Sequence, residues 1–256
     1  MKISMLSGVC AACLSLTVTS ASAAFVDPGL AGNTQFDGWD NLTRTNPQVA
    51  STTTPFPFPD FPGAAPWPAP IESILTGGVQ DTDPTNDDPT GDAYFDKTSG
   101  NGYPAGVSIY TSPFGNGGAF QVSDDTPVTD IETIIFQIEL GGGSSGFLSG
   151  PPTLTINNGS TVVPLLAEQV IDSVFDPNGP FGPLTINTFG YQWDVRGLGP
   201  ISDFDIDFDT FGSTSNTIFG LQLDQGSQFA QVIPEPASLL MIGLGSLAMF
   251  GRFRKS

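Results

Sequence analysis

The chain has 256 residues, with 7 Lys+Arg against 26 Asp+Glu, no His and 2 Cys, for a formal net charge of −19. Without His, neither Ser-His-Asp nor Cys-His catalysis is available, nor any His-ligated zinc or haem, and a charge of this sign argues against nucleic-acid phosphates as partners. The length suits one large domain or two small ones; 20 Phe supply material for a core, and 31 Gly with 23 Pro stop short of a low-complexity composition.

The first predicted element is an address. Lys2, the apolar stretch Ile3 to Val18 and Ala21-Ser22-Ala23 follow the order of a secretory signal peptide, with Ala21 and Ala23 as the small residues before the cut. An uncleaved anchor is the alternative, for which the apolar run is short. Cys10 and Cys13 both fall inside this stretch, so the expected mature protein carries no cysteine and owes nothing to disulfides.

Residues 24–119 read as the loop-rich, Pro-rich part of a β-domain. Seven prolines in the sixteen residues from Pro55 to Pro70, interleaved with Phe56, Phe58, Phe61 and Trp67, favour polyproline II and exclude a central strand. Such a segment serves either as a recognition arm or, more economically, as a loop whose aromatics cover the domain. The tract from Asp81 to Asp92 is acidic and turn-rich. Its Asp81, Asp83, Asp87, Asp88 and Asp92 supply oxygen ligands for Ca²⁺, although Asn86, Pro84 and Asp92 depart from the EF-hand pattern.

Residues 120–232 read as the core of a β-sandwich of the jelly-roll kind. In Ile131 to Leu140 the alternation of Ile134, Phe136, Ile138 and Leu140 predicts a half-buried strand. Gly142-Gly143-Ser144-Ser145-Gly146 matches the string of a hydrolase nucleophile elbow, but there is no His partner and a glycine-rich loop explains it better. Thr153 to Ile156, Asn157-Asn158-Gly159 and Ser160 to Leu166 predict a hairpin, since Asn-Gly tolerates positive φ. Ala167 to Ser173 reads as a short helical turn, and Leu184–Thr188, Phe189–Val195, Phe204–Phe208 and Thr217–Leu223 as further strands.

Asp203, Asp205, Asp207 and Asp209 alternate with Phe204, Ile206 and Phe208, which places four carboxylates on one strand face and the apolar side chains on the other. Such a row serves either to share Ca²⁺ with loop oxygens or simply as a solvated face that blocks edge pairing. Trp39, Trp67, Tyr103, Tyr110, Tyr191 and Trp193 are candidates for stacking on sugar rings, with core packing as the cheaper explanation. Between the two ends, 25 acids face only Arg44, Lys97 and Arg196; such imbalance opposes compactness unless cations screen it.

The C-terminus reads Ile233-Pro234-Glu235-Pro236, then an apolar run from Ala237 to Gly251, then Arg252, Phe253, Arg254, Lys255 and Ser256. This order resembles the PEP-CTERM sorting signal, with Ile233 where a common form has Val. The resemblance covers about 232–256 and implies that exosortase, a membrane-embedded protease-transpeptidase of Gram-negative bacteria that make exopolysaccharide, processes the chain at Pro234, Glu235 and Pro236. Residues 237–251 are the expected transmembrane helix; its rise of about 22 Å is short against a core of about 30 Å. Snorkelling of Arg252, Arg254 and Lys255 extends its reach, and these cations place the tail on the cytoplasmic side. The two prolines keep the motif extended, as a protease requires.

The sequence thus predicts an exported, non-enzymatic surface or extracellular-matrix protein, anchored first in the inner membrane and then at the cell surface or outside. Its expected partners are exosortase, the inner membrane and an exopolysaccharide, with no nucleic acid and no cofactor beyond Ca²⁺. The rivals are a carbohydrate-binding module, Ca²⁺-stabilised or not, and a His-free carboxylate glycoside hydrolase, whose two acids would stand about 5–9 Å apart.

Overall fold

The computed structural model describes residues 25–40, 42–43, 66–67, 69–73, 91–106, 108–111, 117–142, 148–179, 182–211 and 216–233. The predicted signal peptide with its cleavage residues, most of the Pro-rich and acidic tracts, all of the Gly-Ser run but Gly142 and everything from Pro234 onward lie outside these residues. Among the described residues there is no helix and none long and apolar enough to cross a membrane.

Among the described residues, thirteen strands form two antiparallel sheets. The strands are β1 (Thr34–Trp39), β2 (Ile71–Glu72), β3 (Tyr94–Gly100), β4 (Tyr103–Pro104), β5 (Ile109–Thr111), β6 (Gly118–Asp124) and β7 (Thr133–Gly142). They continue with β8 (Thr153–Ile156), β9 (Thr161–Val163), β10 (Leu165–Asp176), β11 (Leu184–Asp194), β12 (Phe204–Asp209) and β13 (Asn216–Gly226). The first sheet runs β10-β11-β7-β13-β5-β4, with β1 also on β13; the second runs β2-β3-β6-β12-β8-β9. The core lies between them, where Phe136 of β7 meets Phe208 of β12 at 5.4 Å and Trp39 of β1 meets Phe95 of β3 at 6.2 Å between ring centroids.

Local chemistry explains the elements. β12 alternates as its sequence demands, burying Phe204, Ile206 and Phe208. The β8–β9 hairpin closes on Ser160 N donating to Asn157 O at 3.2 Å, and both central residues, Asn158 and Gly159, have positive φ (57° and 71°). That is the backbone state Asn and Gly adopt at least cost. Trp67, at the end of the Pro-rich tract, packs edge-on against Phe95 at 5.5 Å, and its Nε1 donates to Gly102 O at 3.3 Å.

Two readings need correction. Ala167 to Ser173 is not a helical turn; it lies within β10, held by a ladder along β11 from Leu165↔Trp193 to Asp176↔Leu184. Register shifts at Leu165/Ala167 and Val170/Asp172 interrupt the period of two, and the ladder overrides the helix preference of Ala-Glu-Gln. β7 is not half-buried either: every residue from Thr133 to Gly141 is buried, because both faces of its sheet are covered. Its inward side chains enter the main core, while Ile135 joins Ala167 and Ile233 in a second apolar cluster on the outer face.

Candidate functional site

The outer face of the first sheet is roofed by the two ends of the described chain. Gln137 of β7 grips the N-terminal end with its amide: Val26 N donates to Oε1 at 2.9 Å, and Nε2 donates to Val26 O at 2.7 Å. Gln192 of β11 does the same for the C-terminal end. Its Oε1 accepts from Val232 N at 3.1 Å and from Ile233 N at 2.9 Å, and its Nε2 donates to Ala230 O. An amide suits this task because it offers both a donor and an acceptor to a backbone that has no strand partner.

The C-terminal strap, residues 227–233, is fastened along its length. Asn33 N donates to Ser227 Oγ at 2.8 Å and Ser227 N to Asn33 O at 2.9 Å. Phe229 N donates to Glu132 Oε2 at 2.8 Å and Ala230 N to Thr133 Oγ1 at 3.3 Å. The Arg196 guanidinium lies 3.6 Å from the Phe229 ring centroid and is oriented by Asp194, whose carboxyl it holds below its ordinary range through the hydrogen bonds it donates. The strap ends with Ile233, 3% exposed. Gly190 makes room for it: a Cβ there would stand 2.8 Å from Ile233 Cδ1 and 2.4 Å from Ile171 Cδ1. Between the two straps runs a groove lined by Val26, Pro28, Ile135, Ile171, Val232 and Ile233, among others.

Family comparison assigns the next residues. A protein-family model of the PEP-CTERM protein-sorting motif matches residues 232–255. The C-terminal segment is a PEP-CTERM sorting motif. It marks the chain as exported in a Gram-negative bacterium through a membrane-anchored precursor that exosortase processes. No curated protein and no solved structure matches the chain. The first two matched residues, Val232 and Ile233, are the two whose backbone amides Gln192 holds. Nothing in the sequence singled out Gln137 or Gln192, since a polar residue on an alternating strand reads as solvent-facing.

The other predicted sites fall as follows. Of the acidic tract, Asp81, Asp83, Asp87 and Asp88 lie outside the described residues; Asp92 Oδ1 accepts from Thr126 Oγ1 at 2.5 Å and from Gln35 Nε2 at 3.5 Å. In the β12 row, Asp203 sits just before the strand and clips the β8–β9 turn, accepting from Asn158 N at 2.6 Å and from Ser202 Oγ at 2.5 Å. These bonds hold its carboxyl below its ordinary range. Asp207 accepts from Gln121 Nε2 at 3.0 Å, and Asp209 from Phe211 N at 3.0 Å and from Ser149 Oγ. Asp205 pairs in register with Ser123 and Thr155. Among the described residues no three His, Cys, Asp or Glu side chains are gathered as a metal site. Of the six aromatics considered for sugar stacking, Trp39, Trp67, Tyr191 and Trp193 are buried. Tyr103 and Tyr110 meet at 79°, and thus do not form a coplanar platform.

A separate group of acids is buried. Asp37 of β1 and Asp124 of β6 are 0% and 1% exposed. Asp37 Oδ1 accepts from Ala93 N at 3.3 Å, while its buried Oδ2 has no hydrogen-bond partner among the described residues. Burial first, and then the Asp124 charge, push the Asp37 carboxyl up to about 7. Asp224, on the outward face of β13, is pushed up to about 7 by burial, against hydrogen bonds from Gln222 and Gln137. The fold therefore buries carboxyls that hold protons more readily than free ones.

Proposed function

We propose that this chain is a non-enzymatic protein of the cell surface or extracellular matrix, carried out as an inner-membrane-anchored precursor and processed by exosortase at Pro234-Glu235-Pro236. The observation that carries this reading is the sorting motif joined directly to a folded β-domain. Strand pairing supports a jelly roll: β1-β13-β7-β11 facing β6-β12-β8-β9 is the order of two interlocked Greek keys, with β2 to β5 and β10 added at the margins. The polar side chains described above support a structural role, because their hydrogen bonds hold straps and turns. An acidic domain of this kind suits a hydrated exopolysaccharide layer, where divalent cations, Ca²⁺ foremost, screen its carboxylates and bridge them to acidic sugars.

The test is to replace Pro234, Glu235 and Pro236 together by Ala in the producing cell. The expected result is full-length protein, less its signal peptide, held in the membrane fraction, while the unaltered protein is converted. Equal conversion of both would overturn the sorting reading. Co-sedimentation of the processed protein with the cell's own exopolysaccharide, lost when Ca²⁺ is chelated, checks the proposed partner.

A further inference from the structure

The sorting motif and the folded domain share residues. Val232 and Ile233 open the matched segment and also close the outer-face cluster, with Pro234 following at once. A protease binds its substrate as an extended peptide whose backbone N–H and C=O groups pair with the enzyme, on both sides of the scissile bond. On the N-terminal side of Pro234 those groups are already taken. The amides of Val232 and Ile233 donate to Gln192, the amide of Ala230 to Thr133, and the Ala230 carbonyl accepts from Gln192. Ile233 O accepts from Gln231 Nε2 at 2.7 Å.

We propose that the strap is a gate on processing and that Gln192 is its positioning residue: exosortase takes the motif only after residues 230–233 peel from the first sheet. Gln192 has no part in peptide-bond cleavage. It sets how often the peptide is available by holding three backbone groups with one side chain. It is 0% exposed, so water does not compete for those bonds while the strap is down. Local opening of such a segment has its own free energy, distinct from global unfolding, so the rate of processing follows strap release while the sandwich stays folded. The gate also separates two states of the chain. A domain that has not yet folded offers a free motif but no clamp, whereas a folded one offers the motif at a rate fixed by its own strap.

This inference rests on the sorting reading, and the test separates the two. Two variants release the strap by different routes without altering residues 230–256: Gln192→Ala removes the clamp, and Gly190→Ala pushes a methyl group against Ile171 and Ile233. Each full-length precursor is purified in detergent and compared with the unaltered one. Hydrogen exchange of the 230–233 amides and chymotryptic cutting after Phe229 report strap release, and the thermal midpoint reports the sandwich. Each precursor is then incubated with exosortase-containing membranes from the producing cell. The expected result is at least ~10-fold faster exchange and cutting at the strap, the low end of what loss of the three Gln192 hydrogen bonds implies, with protected β7 and β11 amides in both variants. Conversion by the membranes rises several-fold in parallel. Conversion that is unchanged or slower in variants with a released strap would overturn the gate, as would strap amides that already exchange at loop rates in the unaltered protein. If the membranes convert none of the precursors, including the unaltered one, the sorting reading fails instead.

Discussion

Phe208→Ala destabilises the processed protein by about 3–5 kcal/mol, the cost of removing a large aromatic from a core that cannot collapse around the gap. Phe208 stands where the two sheets meet. Its ring stacks at 5.6 Å on Phe120 and at 6.2 Å on Phe95 in its own sheet, and meets Phe136 of the facing sheet at 5.4 Å. Its aromatic contacts reach both sheets, and its neighbours are fixed by ladders on either side. Urea unfolding checks this, with a lower midpoint at unchanged slope. A loss below about 1 kcal/mol would mean that the sheets do not pack as described.

The second large effect is on pH. Asp37 and Asp224 have carboxyls raised in the folded state to about 7, against an ordinary value of 3.8. Between about pH 4 and 7 the folded chain therefore keeps protons that the unfolded chain has released. The stability these two groups contribute is fully present below this window, falls as pH rises through it and levels off above it. A tenfold difference in proton affinity between folded and unfolded chain is worth about 1.4 kcal/mol, and each carboxyl gains about a thousandfold, so the two groups together lower stability by up to about 8 kcal/mol between pH 4 and 8. Asp124 and Asp92 add repulsion at Asp37, and Asp27 and Asp37 add it at Asp224. General repulsion among surface acids acts in the same direction but is screened by salt, while the buried contribution is not. Asp224→Asn separates them. The variant is expected to match the unaltered protein at pH 4.5 and to exceed it in thermal midpoint at pH 8, in 0.5 M salt as well as in dilute buffer. A variant less stable than the parent at pH 8 would contradict the assignment.

What the residues disclosed depended on how directly a local rule met the final environment. β12 was legible because an alternating strand with one apolar face needs no knowledge of its neighbours. The 157–160 turn was legible because Asn and Gly announce a backbone state that other residues avoid. β10 was not, since two register shifts hide its period and Ala167-Glu168-Gln169 favours a helix in isolation. β1 and β3, in the loop-rich first part, gave no clear signal because TQFDGW and YFDKTSG mix buried and polar residues, among them the buried Asp37 and Lys97. Lys97 illustrates the difficulty: its Nζ is held by Gly100 O at 3.0 Å, and burial draws its pKa down to about 8.

The site divides in the same way. Pro234-Glu235-Pro236, the apolar run and Arg252, Arg254 and Lys255 were readable because a sorting signal is a linear message addressed to another protein. The grip of Gln137 and Gln192 was not, because a side-chain amide that binds backbone more than 30 residues away leaves no trace in local pattern. Core packing was the cheaper expectation for the six candidate sugar-stacking aromatics, and four of them are buried, but local pattern did not tell which four.

On the proposed route this β-domain is an exosortase-sorted cargo whose own sequence ends, once processed, at its sorting motif. Intact mass spectrometry of the protein from the membranes and from the medium of the producing cell tests it most directly. The expected result is a membrane-associated form that begins at Ala24 and still carries residues 237–256, together with a mature form whose own sequence stops within a few residues of Ile233. A single form that retains 237–256 in every fraction would contradict it.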